Sequence, residues 1–250
     1  MAWRFGICSD IGGREEQQDR AELFASKNGD DYLIVLADGM GGHHGGSRAA
    51  QAVVDCSRHL FETNGIDDPL SDLETLTIQA HQAVTEVGGQ EGQTPGSTCV
   101  MLYLSGDAAY WAHVGDSRLY HFRKGRLLSR TRDHSLVQLL VSRGELPEEE
   151  MAASPLQNQL YMRLGGEEAP KPELGSAEIQ KGDAFMLCSD GFWESVGEDE
   201  VSAILTHDDL EGSMERLLRM GKERGGHDGD NITIAIAQKG KLRKKILGIF

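Results

Sequence analysis

Residues 32–50 read YLIVLADGMGGHHGGSRAA. Residues 32–37 are a continuous, largely β-branched apolar run, the pattern of a strand buried on both faces. The run stops at Asp38, and five glycines follow in the eight residues 39–46. A carboxylate at the mouth of a buried strand, beside residues without side chains, leaves space for something to approach the backbone closely. The pattern recurs. Asp116 follows a strand-like run in HVGDS, Asp190 ends another in LCSDG, Asp230 precedes a third in GDNIT, and Asp19 stands in QQDR after a first short strand. A single Asp-Gly is an ordinary turn. Five carboxylates at strand ends are different, because strand ends on one rim converge and their charges repel without a counter-ion. Divalent cations that prefer oxygen ligands, Mg²⁺ or Mn²⁺, are the natural counter-charge.

The rest of the composition sets limits. At 250 residues and 39% hydrophobic the chain can bury a normal core, as one large domain or two small ones. The formal charge of −15 disfavours nucleic acid as a partner. No window approaches the roughly 18 consecutive apolar residues of a membrane span, and MAWRFGICSD lacks a signal-peptide core. A soluble, cytoplasmic protein is expected. Cys8, Cys56, Cys99 and Cys188 show no metal or redox spacing and read as reduced thiols.

Strand signals fall at 97–104, 108–114, 118–123, 126–128, 183–189 and 232–238, and the closely spaced ones read as an antiparallel meander. Helical periodicity marks 46–63 and 70–87, with further helices at 135–143, 147–153, 199–206 and 210–220. Strands in groups with helices in pairs between them indicate α+β layers. Residues 1–240 are expected to form a single domain in which 134–172 is a surface flap. From Lys239 the chain turns basic and apolar, KGKLRKKILGIF. Residues 241–250 are expected to be a tail with a few apolar residues packed back on the domain, in preference to one that touches an anionic membrane surface or a partner.

Seven motifs, in this order, carry a resemblance: SDIGGREEQQDR (9–20), LADGMGGHHGG (36–46), GSTCV (96–100), HVGDSRLY (113–120), RDHSLV (132–137), LCSDGFWESV (187–196) and GDNITIAIA (229–237). The set resembles the metal-dependent serine/threonine protein phosphatases of type 2C, the PPM family, in its bacterial form. The resemblance implies a four-layer αββα sandwich, two central antiparallel sheets flanked by antiparallel helix pairs. It implies that Asp38 bridges two metal ions, that the Gly39 carbonyl serves one of them, and that Asp19, Asp190 and Asp230 complete the pair. Asp116 matches the ligand of a third ion, and Glu194 stands where some members carry a second acid for it. Arg14 matches the arginine that grips the substrate phosphate, a task suited to a planar bidentate guanidinium.

The implied mechanism has no protein nucleophile. A water bridging two Mn²⁺ or Mg²⁺ ions attacks phosphorus in line, and the serine or threonine alkoxide leaves. Where some members place a histidine as leaving-group acid, this chain has Met40; His43 is the expected substitute, ahead of His44. Asp228 is expected to be a turn residue, and Asp133-His134 a structural pair outside the metal set. The implied partners are phosphoproteins, targets of a cognate Ser/Thr kinase, acted on by a monomer. Two other readings start from the same residues: an inert phosphoprotein-binding module, and a phosphoesterase for small molecules.

Overall fold

The structure, a computed structural model, describes residues 2–42, 44–91, 94–207 and 209–240. In chain order the strands are β1 (Trp3–Asp10), β2 (Asp19–Ala25), β3 (Tyr32–Met40), β4 (Gly96–Ser97), β5 (Cys99–Ser105), β6 (Ala108–Val114), β7 (Arg118–Arg123), β8 (Arg126–Arg130), β9 (Glu173–Glu178), β10 (Asp183–Cys188) and β11 (Ile232–Lys239). The helices are α1 (Gly45–Asn64), α2 (Pro69–Glu91), α3 (Leu136–Ser142), α4 (Asp190–Trp193), α5 (Glu198–Ile204) and α6 (Leu210–Gly225). None of them is long and apolar enough to cross a membrane.

The strands form two antiparallel sheets. Sheet I runs β1-β11-β10-β7-β8, and sheet II runs β2-β3-β5-β6-β9 with β4 paired to β3. Both faces of each sheet are covered, and the side chains divide by the period of two that a strand imposes. In β3, Ile34 and Leu36 meet Val100, Leu102, Phe185 and Leu187 between the sheets. Leu33, Val35 and Ala37 point the other way, into a core with Val53, Phe61, Leu73 and Val84 of α1 and α2. Sheet I repeats the scheme. Ile232, Ile234 and Ile236 of β11 pack with Phe192, Val201, Met214 and Leu217 of α4, α5 and α6, while Ala235 and Ala237 face the other sheet. Three apolar cores therefore separate four layers in αββα order, which explains why β3 reads as apolar without interruption.

Several elements depart from the sequence reading. Asp19 does not follow a strand but opens one that was not expected, β2, and the helix expected at 147–153 is a 3-10 turn. Asp190 caps no simple strand end; it opens the short helix α4. Strand β9 was not expected, because ELGSAE has neither apolar alternation nor β-branched residues. It forms as the outer strand of sheet II, in register with β6 from His113–Glu173 to Ala108–Glu178. Gly175 lies against Trp111, whose ring a Cβ would meet at 2.3 Å.

Between β8 and β9 the chain forms α3 and a 3-10 turn at Glu148–Ala153. It is tied to the sheets by bridges Ser135–Leu160 and Ser97–Leu164. Leu164 is fully buried and joins the core under α2. The basic tail, 241–250, lies outside the described residues.

The inter-sheet core sets the stability of the whole. Replacing the fully buried Leu102 by Ala is expected to cost about 2–5 kcal/mol in urea unfolding, from lost transfer energy and the cavity left behind. Leu128→Ala, at a side chain 48% exposed, should change stability by less than about 0.5 kcal/mol.

Candidate active site

Strand pairing alone gathers the aspartates. In the β2–β3 register Asp19 stands directly opposite Asp38, an arrangement that is unfavourable for like charges. The backbone of Asp38 is clamped: its N–H donates to Thr98 Oγ1 at 2.9 Å, and its carbonyl accepts from the Thr98 N–H at 2.9 Å and the Ser97 hydroxyl at 3.1 Å. The Thr98 hydroxyl also meets Ser117 Oγ at 2.7 Å, which fixes the turn carrying Asp116.

The glycines after Asp38 serve backbone packing. A Cβ on Gly39 would lie 1.9 Å from the Gly46 carbonyl oxygen, and one on Gly46 would lie 2.6 Å from the Gly39 carbonyl oxygen. Paired glycines thus let the first turn of α1 close on the end of β3. Gly191, beside Asp190, is packed in the same way against the Asn231 carbonyl, 2.3 Å from its would-be Cβ.

Asp38, Asp116, Asp190 and Asp230 line one cavity of about 490 Å³ with Arg14, Gly39 and, from the segment between β8 and β9, Asn158, Leu160 and Arg163. Asp19 lies beneath, 3% exposed. Its Oδ2 accepts from Ser189 Oγ at 2.7 Å. Its Oδ1 is buried without a hydrogen-bond partner. Burial, with added repulsion from Asp230, pushes Asp19 up to about 6, and burial with repulsion from Asp133 pushes Asp116 up to about 7. Asp38 and Asp190 rise well above the carboxylate range, first through burial; repulsion from Asp190, Asp19, Asp116 and Asp230 then adds to Asp38, and repulsion from Asp116, Asp230, Glu194 and Asp19 to Asp190. Both side chains open on the cavity, where they are half-buried.

A buried carboxylate oxygen with no donor, in a ring of acids that raise one another, fits hard divalent cations. Described residues also include a second group with metal-ligand chemistry: His113, His134 and Glu173 hold ligand atoms within 4.8 Å of one another. The Gly115 N–H donates to His134 Nδ1 at 3.1 Å. In neutral His134 that bond puts the proton on Nε2, the atom 4.0 Å from Glu173, so Nε2 has no free lone pair for a metal.

The other predicted residues are placed as follows. Arg14 Nη2 donates to Asp230 Oδ2 at 2.7 Å, with the arginine side chain 57% exposed at the cavity mouth. Its loop is held by the Gly13 N–H on the Gly229 carbonyl and by Asn231, which accepts from the Gln18 N–H at 2.7 Å. Glu194 is exposed; its Oε1 accepts from Gln157 Nε2 at 2.6 Å, and it borders a neighbouring recess. His43 lies outside the described residues. His44 is 79% exposed, with Nδ1 2.9 Å from Glu16 Oε1. Asp228 is fully exposed. Asp133 accepts both arms of Arg118 at 2.8 and 2.6 Å, away from the cavity. Arg118 stacks on Trp193 at 3.5 Å, and Trp193 Nε1 donates to the Asp116 carbonyl, so the pair buttresses the Asp116 turn.

Sequence reading missed Asn158 and Arg163, which come from the segment between β8 and β9 with no periodicity to flag them, and Ser189, Thr98 and Asn231, which support the aspartates. Each of these three adjoins or lies within a quoted motif, which was the available signal.

A family model described as Protein phosphatase 2C matches residues 9–229. The chain belongs to the protein phosphatase 2C family. It is 32% identical over 239 residues to the protein phosphatase PhpP of Streptococcus pneumoniae, covering 92% of this chain and 95% of PhpP. The solved serine/threonine phosphatase of S. agalactiae superposes with a TM-score of 0.85 at 32% identity, over 94% of this chain and 99% of that one. The catalytic domain of the phosphatase PstP, solved in complex with two manganese ions, gives a TM-score of 0.82 at 30% identity, over 94% and 97%. The match to structures of this family fixes the αββα layering as the family fold.

The raised carboxylates have a measurable cost. A group whose folded pKa is raised stabilises the fold below its unfolded pKa and loses that contribution as pH rises through the folded value. For Asp19 and Asp116 the window runs from about 4 to about 6–7. In chelator-treated protein, Asp38→Asn should be more stable than wild type at pH 8 by about 1–3 kcal/mol. The gap should close towards pH 4, as thermal melts across that range would show.

Proposed function

We propose that this protein is a metal-dependent phosphatase that hydrolyses phosphoserine and phosphothreonine on proteins, reversing the work of a Ser/Thr kinase. The observation that carries the reading is the aspartate rim itself: a buried, donorless Asp19 oxygen under four further carboxylates, with an arginine at the mouth. Family membership gives the same reading.

In this reading Asp38, Asp19, Asp190, Asp230 and the Gly39 carbonyl would hold two ions, Mn²⁺ or Mg²⁺, and Asp116 would serve a third. Glu194 can join it only by releasing Gln157, its present donor. When bound, the ions supply charge stabilisation and a water acidic enough to act near neutral pH. The protein's own contribution is positional. The Thr98 and Ser97 clamp fixes Asp38, and the Arg118–Asp133–Trp193 stack fixes the Asp116 turn. Arg14 orients two phosphate oxygens for in-line displacement, while Asp230 holds its guanidinium at the mouth.

No imidazole follows Asp38-Gly39 directly. His44 points at Glu16, so among the described residues no histidine is aimed at the cavity as leaving-group acid. His43 is retained as that candidate. Residues 134–172 act as the flap, and Asn158, Leu160 and Arg163 place it where a substrate's flanking chain would lie. The cavity is lined by residues of one chain, which supports action as a monomer, and a cytoplasmic location belongs to the same proposal.

Hydrolysis of a phosphothreonine peptide should require Mn²⁺ or Mg²⁺ and stop with EDTA. Asp38→Ala should lose at least about 10³-fold in kcat while remaining folded by circular dichroism. Arg14→Lys should lose roughly 10- to 100-fold in kcat/KM, because a point charge replaces a bidentate grip. A folded, metal-loaded wild type that is inert on phosphopeptides contradicts the proposal. If it then cleaves only small phosphate esters, the small-molecule reading replaces it; if it only binds phosphoprotein, the binding-module reading does.

A further inference from the structure

The cavity wall holds a second arginine with no task in the chemistry above. Arg163 is half-buried beside the aspartate rim, on the segment between β8 and β9. The backbone next to it is tied down. Leu164, fully buried, donates its N–H to the Ser97 carbonyl at 2.9 Å, and its own carbonyl accepts from the Ser97 N–H at 3.2 Å. The Ser97 hydroxyl in turn donates to the Asp38 carbonyl at 3.1 Å. Arg163 is therefore one residue from the frame that also fixes Asp38. Its guanidinium has a seat as well. A Cβ on Gly96 would lie 2.0 Å from Arg163 Nη1 and 3.0 Å from Cζ, so the glycine is what admits the guanidinium.

Gly96 stands opposite Met40, one position beyond the Gly39–Ser97 pair, so Arg163 belongs to the wall built by β3 and β4. Arg14 is held elsewhere, by Asp230 just before β11 of the other sheet. A phosphate gripped at Arg14 leaves Arg163 for another group. The pairing of the arginines says what kind of group. Arg14, Arg58, Arg118, Arg123 and Arg224 each meet a carboxylate. Arg163 meets none among the described residues, in a chain with 40 acidic residues. Its one hydrogen bond there runs from Nη1 to the Thr94 carbonyl at 3.5 Å. A guanidinium carries several N–H donors in a fixed fork, and half-burying one without a carboxylate leaves its loss of hydration uncompensated. An acid brought by the ligand would supply what the chain withholds.

We propose that Arg163 is a specificity-determining residue: it binds an acidic side chain next to the phosphorylated serine or threonine, and so gives the enzyme a preference for acidic phosphosites. The proposal rests on the phosphoprotein phosphatase reading above. The charge of the whole chain, −15, repels acidic peptides, so a preference for them has to come from a local cation.

Two phosphothreonine peptides test this, identical except that the residues on either side of the phosphothreonine are Glu in one and Gln in the other. The Mn²⁺-loaded wild type should show a kcat/KM about tenfold higher on the glutamate peptide. Arg163→Gln should erase that ratio, with its loss falling on the glutamate peptide. Arg163→Lys should keep part of it. Arg163→Glu should reverse it and prefer a lysine-flanked peptide to the glutamate one, a change of preference that misfolding cannot produce. Equal turnover of the Glu and Gln peptides by the wild type overturns the proposal and leaves the phosphatase reading standing. A loss in Arg163→Gln that is equal on both peptides overturns it in favour of a grip on the scissile phosphate. A folded, metal-loaded wild type inert on every phosphopeptide overturns the phosphatase reading, and this inference with it.

Discussion

The structure turns on one unfavourable interaction, the mutual repulsion of carboxylates that strand pairing forces onto one rim. Asp19 and Asp38 face each other across the β2–β3 ladder, and Asp116, Asp190 and Asp230 arrive at the same rim from β6, β10 and β11. None can retreat, because the four apolar-faced layers fix every strand that carries one. A fold that holds like charges together stores energy that protonation releases at low pH and that a bound cation can release at neutral pH. The same rigidity that makes the metal-free rim costly makes it selective for ions that accept several oxygens at once.

The surrounding hydrogen bonds follow from this. Asp38 is fixed through its backbone by Thr98 and Ser97, which leaves its carboxylate free to face the cavity. Asp19 has one oxygen satisfied by Ser189 and one left open. By contrast Asp133 and Asp183, also buried acids, have arginines on both oxygens. Asp133 and Asp183 are thus neutralised on both oxygens, whereas Asp19 meets no cation and Asp230 meets one arginine on one oxygen, and that difference separates a structural carboxylate from a functional one.

Much of this was legible in the sequence. Asp38, Asp116, Asp190 and Asp230 could be found because each borders an apolar, strand-like run; Asp19, in EEQQDR, borders none on its N-terminal side and was picked out with its motif, and the order of the motifs pointed to the family. The layers were legible because β3 and β11 place apolar side chains on both faces. Other features carried no local signal. β9 is a strand only because β6 offers it a partner and Gly175 admits Trp111. The role of the glycines after Asp38 depends on Gly46, seven residues on, meeting Gly39 in space. Glu194 stands in the right motif, yet its engagement by Gln157, 37 residues away in sequence, is a tertiary fact. Arg163 reaches the cavity from a segment without periodicity.

The central claim is that the aspartate rim is the metal centre. The most direct measurement is an anomalous difference map from crystals of the protein grown with Mn²⁺ and collected at the manganese edge. The account predicts strong peaks at the rim, against Asp38 and between Asp19, Asp190 and Asp230. An empty rim in well-ordered crystals, or manganese found only at His113, His134 and Glu173, would contradict it.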